Sequence, residues 1–383
     1  MSRKCRPATD IDWRAPTRYN GVVNESGTTH RLLVRDAADL SPLPDRSVEL
    51  VVTSPPYPMI AMWDDVFRAD TFEGMHQELD PVWRECRRIL RPGGFLCINI
   101  GDATRTVAGT FQLYPNHSRV IAACTAAGFQ ALPLIIWRKP TNAPNKFMGS
   151  GMLPSGAYVT LEHEYILIFR AGEKREFSAG GAGGAGGAGG GGSPGGGDPQ
   201  RRRQSAIFQT ERNQWFSDQW DFRGTRQALG EDRGRSRSGA FPPELPWRLI
   251  HMYSLQGDTV VDPFAGTGTT LAAAAAAGRN SVGVEIDGTL IEPIETTMAG
   301  APEWGEWRRT QRLADQHRAV AAYRQRHGTD PAHRNSALEV PVISAQETEL
   351  VIPRLAAIER VRVPLEGEHR WEATYGVPQG MLF

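Results

Sequence analysis

Two short stretches of this chain carry residue types in a spacing that chemistry can use. The first is Thr53-Ser54-Pro55-Pro56-Tyr57, directly after the apolar run Val48-Glu49-Leu50-Val51-Val52. Two prolines cannot continue a central ladder, so a strand stops here and its end is held in a stiff turn that presents a hydroxyl and an aromatic ring. The second is Asp262-Pro263-Phe264-Ala265-Gly266-Thr267-Gly268-Thr269-Thr270, set between a strand-like run and an alanine-rich one closed by Gly278. Gly266 and Gly268 allow a tight turn and a close approach of backbone to a ligand, and the helix that follows favours an anionic group at its N-terminus. Glu285 ends the next apolar run, where a carboxylate can accept both hydroxyls of a ribose. The third glycine of a dinucleotide fingerprint would fall at Leu271, and the loop contains no Lys or Arg. A tight turn without a ligand is the alternative. Asp262, Phe264 and Glu285 together favour a nucleoside cofactor over it.

These two stretches need a scaffold, and the hydrophobic pattern supplies one. Arg31 to Arg35, Val48 to Val52, Phe95 to Ile100, Leu132 to Trp137, Glu164 to Phe169, Thr259 to Asp262 and Ser281 to Glu285 read as strands. Between them, Met75, Leu79, Val82, Trp83, Cys86, Ile89 and Leu90 fall at helical spacing, and further helices are expected near 117–127, through Trp247 to Tyr253, and from Thr269 to Ala277. Strands alternating with helices predict a largely parallel sheet covered on both faces. Arg91-Pro92-Gly93-Gly94 reads as a break between helix and strand.

Composition narrows the class without deciding it. The 383 residues suffice for one large α/β domain with appendages, and 40% of them are hydrophobic. Lys+Arg and Asp+Glu both total 43, so overall charge announces no nucleic-acid partner. Cys5, Cys86, Cys97 and Cys124 form no metal-ligating spacing, so no metal is expected. The polar N-terminus and the lack of a long apolar run predict a cytoplasmic protein without a membrane segment.

With both stretches in view, the chain resembles the DNA amino-methyltransferases. Thr53 to Tyr57 is similar to their catalytic tetrapeptide motif, and Asp262 to Thr270 to their cofactor motif. The catalytic motif comes first, which resembles the β group. The resemblance implies a Rossmann-like S-adenosylmethionine-dependent methyltransferase fold, with a mixed, mostly parallel seven-stranded sheet, helices on both faces and a permuted motif order. It implies Ser54, Pro55, Pro56 and Tyr57 as catalytic residues. Asp36 matches an acidic position near the cofactor's adenine. Phe241, Pro242, Glu244 and Arg248 match a segment at its methionine end. With Asp262, Pro263, Phe264, Ala265, Gly266, Gly268, Thr269 and Glu285, they make up the expected cofactor site.

The implied chemistry explains the residue types. An exocyclic amine is conjugated with its ring and is a poor nucleophile. Ser54 Oγ and the Pro55 carbonyl can accept its hydrogen bonds and draw nitrogen toward tetrahedral geometry, and the prolines hold these acceptors in place beforehand. Tyr57 offers a ring for a base flipped out of the duplex. Methylation at cytosine C5 would need a thiolate nucleophile, and no Pro-Cys pair occurs. In the family, Ser at the first motif position goes more often with cytosine N4 than with adenine N6. Adenine N6 is the first alternative, and a non-catalytic DNA-binding protein on a degenerate fold the second.

The segment between the motifs is where the family reads DNA. Residues 179–197 contain only Gly, Ala, Ser and Pro, which predicts a flexible loop. Arg201, Arg202, Arg203, Arg212, Arg223, Arg226, Arg233, Arg235 and Arg237 follow, and with Lys139 they are candidates for DNA contacts. Trp137 to Pro140, with Asn142 and Asn145, could border the target base, whereas Asp64 and Asp65 are not assigned to catalysis. The expected organisation is an N-terminal extension (1–29), a catalytic half (30–170), a glycine-rich loop with recognition region (171–240) and a cofactor half (241–300). A polar, helical C-terminal extension (301–383) completes it. Expected partners are double-stranded DNA and a cognate restriction endonuclease, with the protein a monomer or homodimer.

Overall fold

A computed structural model describes residues 27–139, 148–149, 156–177, 198–223, 241–363 and 366–376. Asn142, Asn145, the 179–197 tract, Arg226, Arg233, Arg235, Arg237 and Cys5 lie outside them. In chain order the catalytic half supplies β1 (Thr28–Val34), β2 (Val48–Thr53), α1 (Phe72–Ile89) and β3 (Leu90–Ile100). A hairpin of β4 (Ala103–Val107) and β5 (Thr110–Tyr114) follows, then α2 (Asn116–Ala126), β6 (Ile135–Arg138) and β7 (His163–Arg170). The middle segment gives α3 (Pro199–Gln204), α4 (Gln209–Trp215) and β8 (Gln219–Asp221). The cofactor half gives α5 (Glu244–Tyr253), β9 (Thr259–Asp262), α6 (Thr269–Ala276), β10 (Asn280–Glu285) and α7 (Ile291–Ala299).

The strands join in one sheet, ordered β6-β7-β3-β2-β9-β10-β1 through its centre. Of these seven, β7 alone runs against its neighbours, so the other six end at one edge. That is the expected mostly parallel seven-stranded sheet, but the whole sheet has eleven strands. β8 adds beside β6, residues 130–131 pair with β7, and the C-terminal region supplies two more. There, α8 (Ala301–His327) is the expected helix, whereas β11 (Leu355–Val361) and β12 (Glu368–Tyr375) form a hairpin whose β12 pairs antiparallel with β1. The expectation of a polar, helical extension missed this hairpin, because Trp371 and Ala373 of β12 are buried one at a time between polar residues, as Leu355 of β11 is buried beside Arg354. They pack against α6 and α7 and cover an edge that would otherwise be open for pairing.

Helices cover both faces, as the alternation required. Val82, Trp83, Cys86 and Ile89 of α1 pack with Val120 and Cys124 of α2 on one side. Leu245, Trp247, Leu249 and Ile250 of α5 pack with the alanines of α6 on the other. Burying a side chain of the size of Leu or Ile stabilises by about 1.5–3 kcal/mol, so each helix face holds its helix in place over the sheet. Between α1 and β3 the backbone pairing jumps from Val48↔Leu90 to Leu50↔Phe95, which loops Arg91-Pro92-Gly93-Gly94 out of register. The expected break is therefore a bulge inside a strand. Among the described residues no helix is long and apolar enough to cross a membrane.

Candidate active site at the carboxyl edge of the sheet

β2 and β9 are parallel neighbours, with Leu50↔Val260 and Val51↔Val261 in register. The chain moves from β2 to β3 on one side and from β9 to β10 on the other. A crevice therefore opens past their carboxyl ends, where open α/β sheets take their ligands. Thr53 and Asp262 are the last residues of the two strands, and they touch. Thr53 Oγ1 donates to Asp262 Oδ1 at 2.7 Å, Thr270 Oγ1 donates to Oδ2 at 2.6 Å, and the Phe264 N–H donates to Oδ1 at 3.1 Å. One buried carboxylate thus binds the Ser-Pro-Pro-Tyr turn, the glycine loop and the first turn of α6 to each other. Burial pushes the Asp262 carboxyl up from its ordinary 3.8 to about 6, against the opposing pull of its hydroxyl donors.

Within the turn, Pro55 and Pro56 are buried and Ser54 is half-buried. Ser54 Oγ lies 3.1 Å from the Tyr57 hydroxyl. That hydroxyl donates to Glu164 Oε2 at 3.0 Å and accepts from Asn99 Nδ2 at 2.7 Å. Asn99 Nδ2 also donates to Glu164 Oε2 at 2.7 Å, while Lys139 Nζ pairs with Glu164 Oε1. Tyr57 is only 9% exposed, so its hydroxyl is engaged while little ring surface is left for a stacked base. Burial, then the Glu164 carboxylate, hold its phenol well above the ordinary tyrosine range. The turn is anchored from behind by Asn116, whose Nδ2 donates to the carbonyls of Pro58 at 3.0 Å and Gly101 at 2.9 Å. Two residues after Tyr57, Met59 holds a φ of 65°, a conformation a non-glycine residue keeps only where its surroundings enforce it.

The glycine loop faces the same crevice. Gly266 and Gly268 have φ of 52° and 82°, and Gly268 caps α6. The Gly266 N–H donates to Glu285 Oε2 at 2.9 Å and the Asp287 N–H to Oε1 at 3.0 Å. Burial raises the Glu285 carboxyl above the ordinary range. A Cβ on Gly266 would meet no atom nearer than the Phe264 carbonyl at 4.0 Å, so the cradle above the loop is open. Pro263, Ala265 and Thr269 are buried beneath it, and Phe264 is half-buried. Ile286, which the sequence reading passed over, stands 68% exposed beside Glu285. Asp36 is exposed after β1, and the Arg35 N–H bonds the Glu285 carbonyl at 2.9 Å, which places Asp36 on the same edge. Carboxylates, backbone donors, an exposed aliphatic side chain and an open cradle fit a nucleoside that carries positive charge and no phosphate.

The remaining expected residues divide. At the end of α5 the Ser254 carbonyl accepts from Arg279, which directly precedes β10, so the helix runs back from the carboxyl edge, with buried Phe241 and Pro242 at its site end and Tyr253 stacked on Phe95 in mid-β3. Glu244 and Arg248 are engaged with protein: Arg248 Nε donates to Glu244 Oε1 at 2.6 Å, Arg308 pairs with Oε2 at 2.8 Å, and the Arg248 guanidinium lies 5.0 Å from the rings of Trp220 and Phe222. Lys139, a candidate for DNA contact, pairs with Glu164 beside the Ser-Pro-Pro-Tyr turn. Arg201 pairs at 2.5 Å with Asp258, which precedes β9 and so lies at the opposite edge of the sheet. Arg202 covers Phe177, Arg203 pairs with Glu349, and Arg212 sits one turn before Phe216, whose ring lies against Tyr253. These four arginines gather away from Ser54. Phe177 and Asp198, which flank the glycine-rich tract, are at that far edge too. Arg223 alone among the described arginines of the middle segment follows a strand, β8, that ends at the carboxyl edge. Asp64 is held by Arg105 at 2.6 Å.

Sequence reasoning missed Asn99, Asn116 and Glu164. The signal to be found was polarity out of pattern: Asn99 interrupts Leu96-Cys97-Ile98 and Ile100, and Glu164 directly precedes the apolar run Tyr165 to Phe169.

Comparison with known proteins agrees with this geometry. The family model described as DNA methylase, for N6 and N4 methyltransferases, matches residues 48–296. The chain belongs to that family. It is 49% identical over 290 residues to the Type II methyltransferase M.MthZI of Methanothermobacter thermautotrophicus, covering 71% of this chain and 77% of that one. Identity to the Type II methyltransferase M.MjaI of Methanocaldococcus jannaschii is 45% over 294 residues, covering 70% and 90%. Among solved structures, a protein of Thermus thermophilus described as a DNA modification methylase, complexed with S-adenosyl-L-methionine, superposes with a TM-score of 0.52. It is 34% identical, over 70% of this chain and 95% of that one.

Proposed function

We propose that this protein transfers a methyl group from S-adenosylmethionine to an exocyclic amine of duplex DNA, with cytosine N4 as the target. The observation that carries the reading is the Thr53–Asp262 hydrogen bond at 2.7 Å. It ties the turn that would receive the amine to the loop that would hold the cofactor, two motifs far apart in sequence. When bound, S-adenosylmethionine supplies a sulfonium methyl as electrophile. Glu285 would take the ribose hydroxyls, Asp36 the adenine edge, and Ile286 with Phe264 the adenine faces. Gly266 and Gly268 would let backbone approach closely, and Phe241 and Pro242 would line the methionine end. Ser54 Oγ and the Pro55 carbonyl would accept the two N–H groups of the amine and turn its lone pair outward for in-line displacement. Pro56 holds these acceptors still, so little reorganisation is left for the reacting complex. Support for cytosine over adenine is Ser54 at the first motif position. Arg223, which follows β8, is one described cation at this edge that would meet phosphate.

The test is direct. Unmodified, amplified duplex DNA is incubated with the protein and isotopically labelled S-adenosylmethionine, digested to nucleosides and analysed by mass. N4-methylcytosine is expected. N6-methyladenine would move the target to adenine, and no labelled nucleoside with any duplex would end the reading.

A further inference from the structure

We infer that Glu164 is a positioning residue: held by Lys139, it sets the direction of the hydrogen bonds between Tyr57 and Ser54 so that Ser54 Oγ faces the target amine with acceptor lone pairs only. The inference rests on the amine methylation proposed above and adds a residue outside both sequence motifs.

The derivation is a matter of counting hydrogens. A tyrosine hydroxyl has one hydrogen to give and two lone pairs to receive with. Around Tyr57 stand one obligate donor, Asn99 Nδ2 at 2.7 Å, one acceptor, Glu164 Oε2 at 3.0 Å, and Ser54 Oγ at 3.1 Å, which can act either way. The tyrosine hydrogen goes to the carboxylate, so its lone pairs receive Asn99 and Ser54. Ser54 therefore uses its single hydrogen inward, and what it turns to the crevice is lone pairs. The amine can offer hydrogens, while its own lone pair is needed for the methyl carbon. An outward-pointing serine hydrogen would compete for that lone pair. The direction of this chain thus decides whether Ser54 helps or hinders.

The surroundings hold the direction in place. Asn99 Nδ2 donates to Glu164 Oε2 as well as to Tyr57, so the asparagine amide is locked with its donor side toward the pair. Lys139 occupies the other carboxylate oxygen and lies 4.5 Å from the Trp137 ring. Gly101 makes the approach possible, since a Cβ there would stand 3.1 Å from the Tyr57 ring and 3.2 Å from Glu164 Cγ. Burial keeps the Tyr57 phenol protonated well past neutral pH, so its hydrogen is always present to be directed.

The experiment uses the full chain, unmodified amplified duplex DNA and S-adenosylmethionine. Glu164→Gln keeps the shape but turns an amide donor toward Tyr57, which then donates to Ser54. We expect kcat of the folded protein to fall about tenfold or more, with KM for the cofactor unchanged. Tyr57→Phe removes the same relay while keeping the ring, so it should lose a similar factor, and the double variant should be no worse than Tyr57→Phe alone. Wild-type kcat in either single variant, or losses that multiply in the double, overturns the inference. If Glu164→Gln fails to fold, Tyr57→Phe still decides by its kcat at unchanged KM. A wild-type protein that methylates no amine in DNA refutes the proposed function itself, whereas a methylating wild type with an equally active Glu164→Gln refutes only the role of Glu164.

Discussion

The two edges of the central sheet are built on opposite electrostatic plans. At the edge where the parallel strands begin, buried acids face guanidinium groups. Glu49 meets Arg91 at 2.7 Å, and Asp258 meets Arg175 at 2.8 Å and Arg201 at 2.5 Å. Arg279 is buried there as well, donates to the Ser254 carbonyl at 2.8 Å, and is pushed down to about 9 by burial. At the edge where the strands end, Asp262 and Glu285 are held by hydroxyls and backbone N–H groups instead. Neutral donors fix a carboxylate without cancelling its charge. The first edge is therefore closed and structural, while at the second these two carboxylates are not neutralised by a cation and suit a cationic ligand such as a sulfonium.

The largest effect expected from this contrast is on stability at the closed edge. Asp258→Ala strands two guanidinium groups and the Leu255 N–H, which donates to Asp258 Oδ2 at 2.8 Å. Removing one partner of a buried pair costs about 3–5 kcal/mol, so urea unfolding should show a loss of that order with kcat of the folded protein kept. A loss below about 1 kcal/mol would mean that the pairs are not structural. At the open edge the order reverses. Ser54→Ala should lower kcat by about 100–1000-fold, the range for removal of one preorganised polar group, while the unfolding midpoint stays put.

The pH dependence of stability separates the edges further. Asp262 titrates at about 6 in the folded protein against 3.8 in the unfolded chain. The folded state binds the proton more tightly, so this contribution is fully present below about pH 4 and is lost as pH rises through about 6, amounting to roughly 3 kcal/mol. Glu49, raised to about 7, acts with the same sign at the other edge. Urea titrations of Asp262→Asn should show a shallower decline between about pH 4 and pH 6, with the part due to Glu49 remaining. An unchanged slope would show that Asp262 is ionised throughout.

Much of this was legible in the sequence because it lies in backbone chemistry. Prolines that end β2, glycines that precede α6 and apolar runs of strand length dictate local structure whatever surrounds them, so both motifs and all seven central strands could be read directly. What could not be read depends on which strands become neighbours. Glu164 and Asn99 meet Tyr57 only because β7 pairs antiparallel with β3, with Tyr165 opposite Ile100. The arginine run at 201–203 is a DNA candidate because charge is visible in sequence, whereas the counter-charge of Arg201, Asp258, is more than fifty residues away. Pairing across the sheet, rather than composition, assigns each cation to an edge.

That assignment yields the smallest but most discriminating expectation, since it sets two arginines of one segment against each other. Arg223 follows β8 at the open edge, after Phe222, whose ring stacks on Trp137 at 5.2 Å. Arg201 pairs with Asp258 at the closed edge. If DNA docks where the strands end, Arg223→Ala should weaken duplex binding uniformly across sequences and lower the salt slope of log K by about 1. Arg201→Ala should leave duplex affinity unchanged and instead lower the unfolding midpoint, because it uncovers a buried carboxylate. Binding isotherms at several salt concentrations, read beside urea curves for the same two variants, separate the roles. Equal losses of affinity would mean that duplex DNA reaches both edges, and the contrast between them would then concern stability alone.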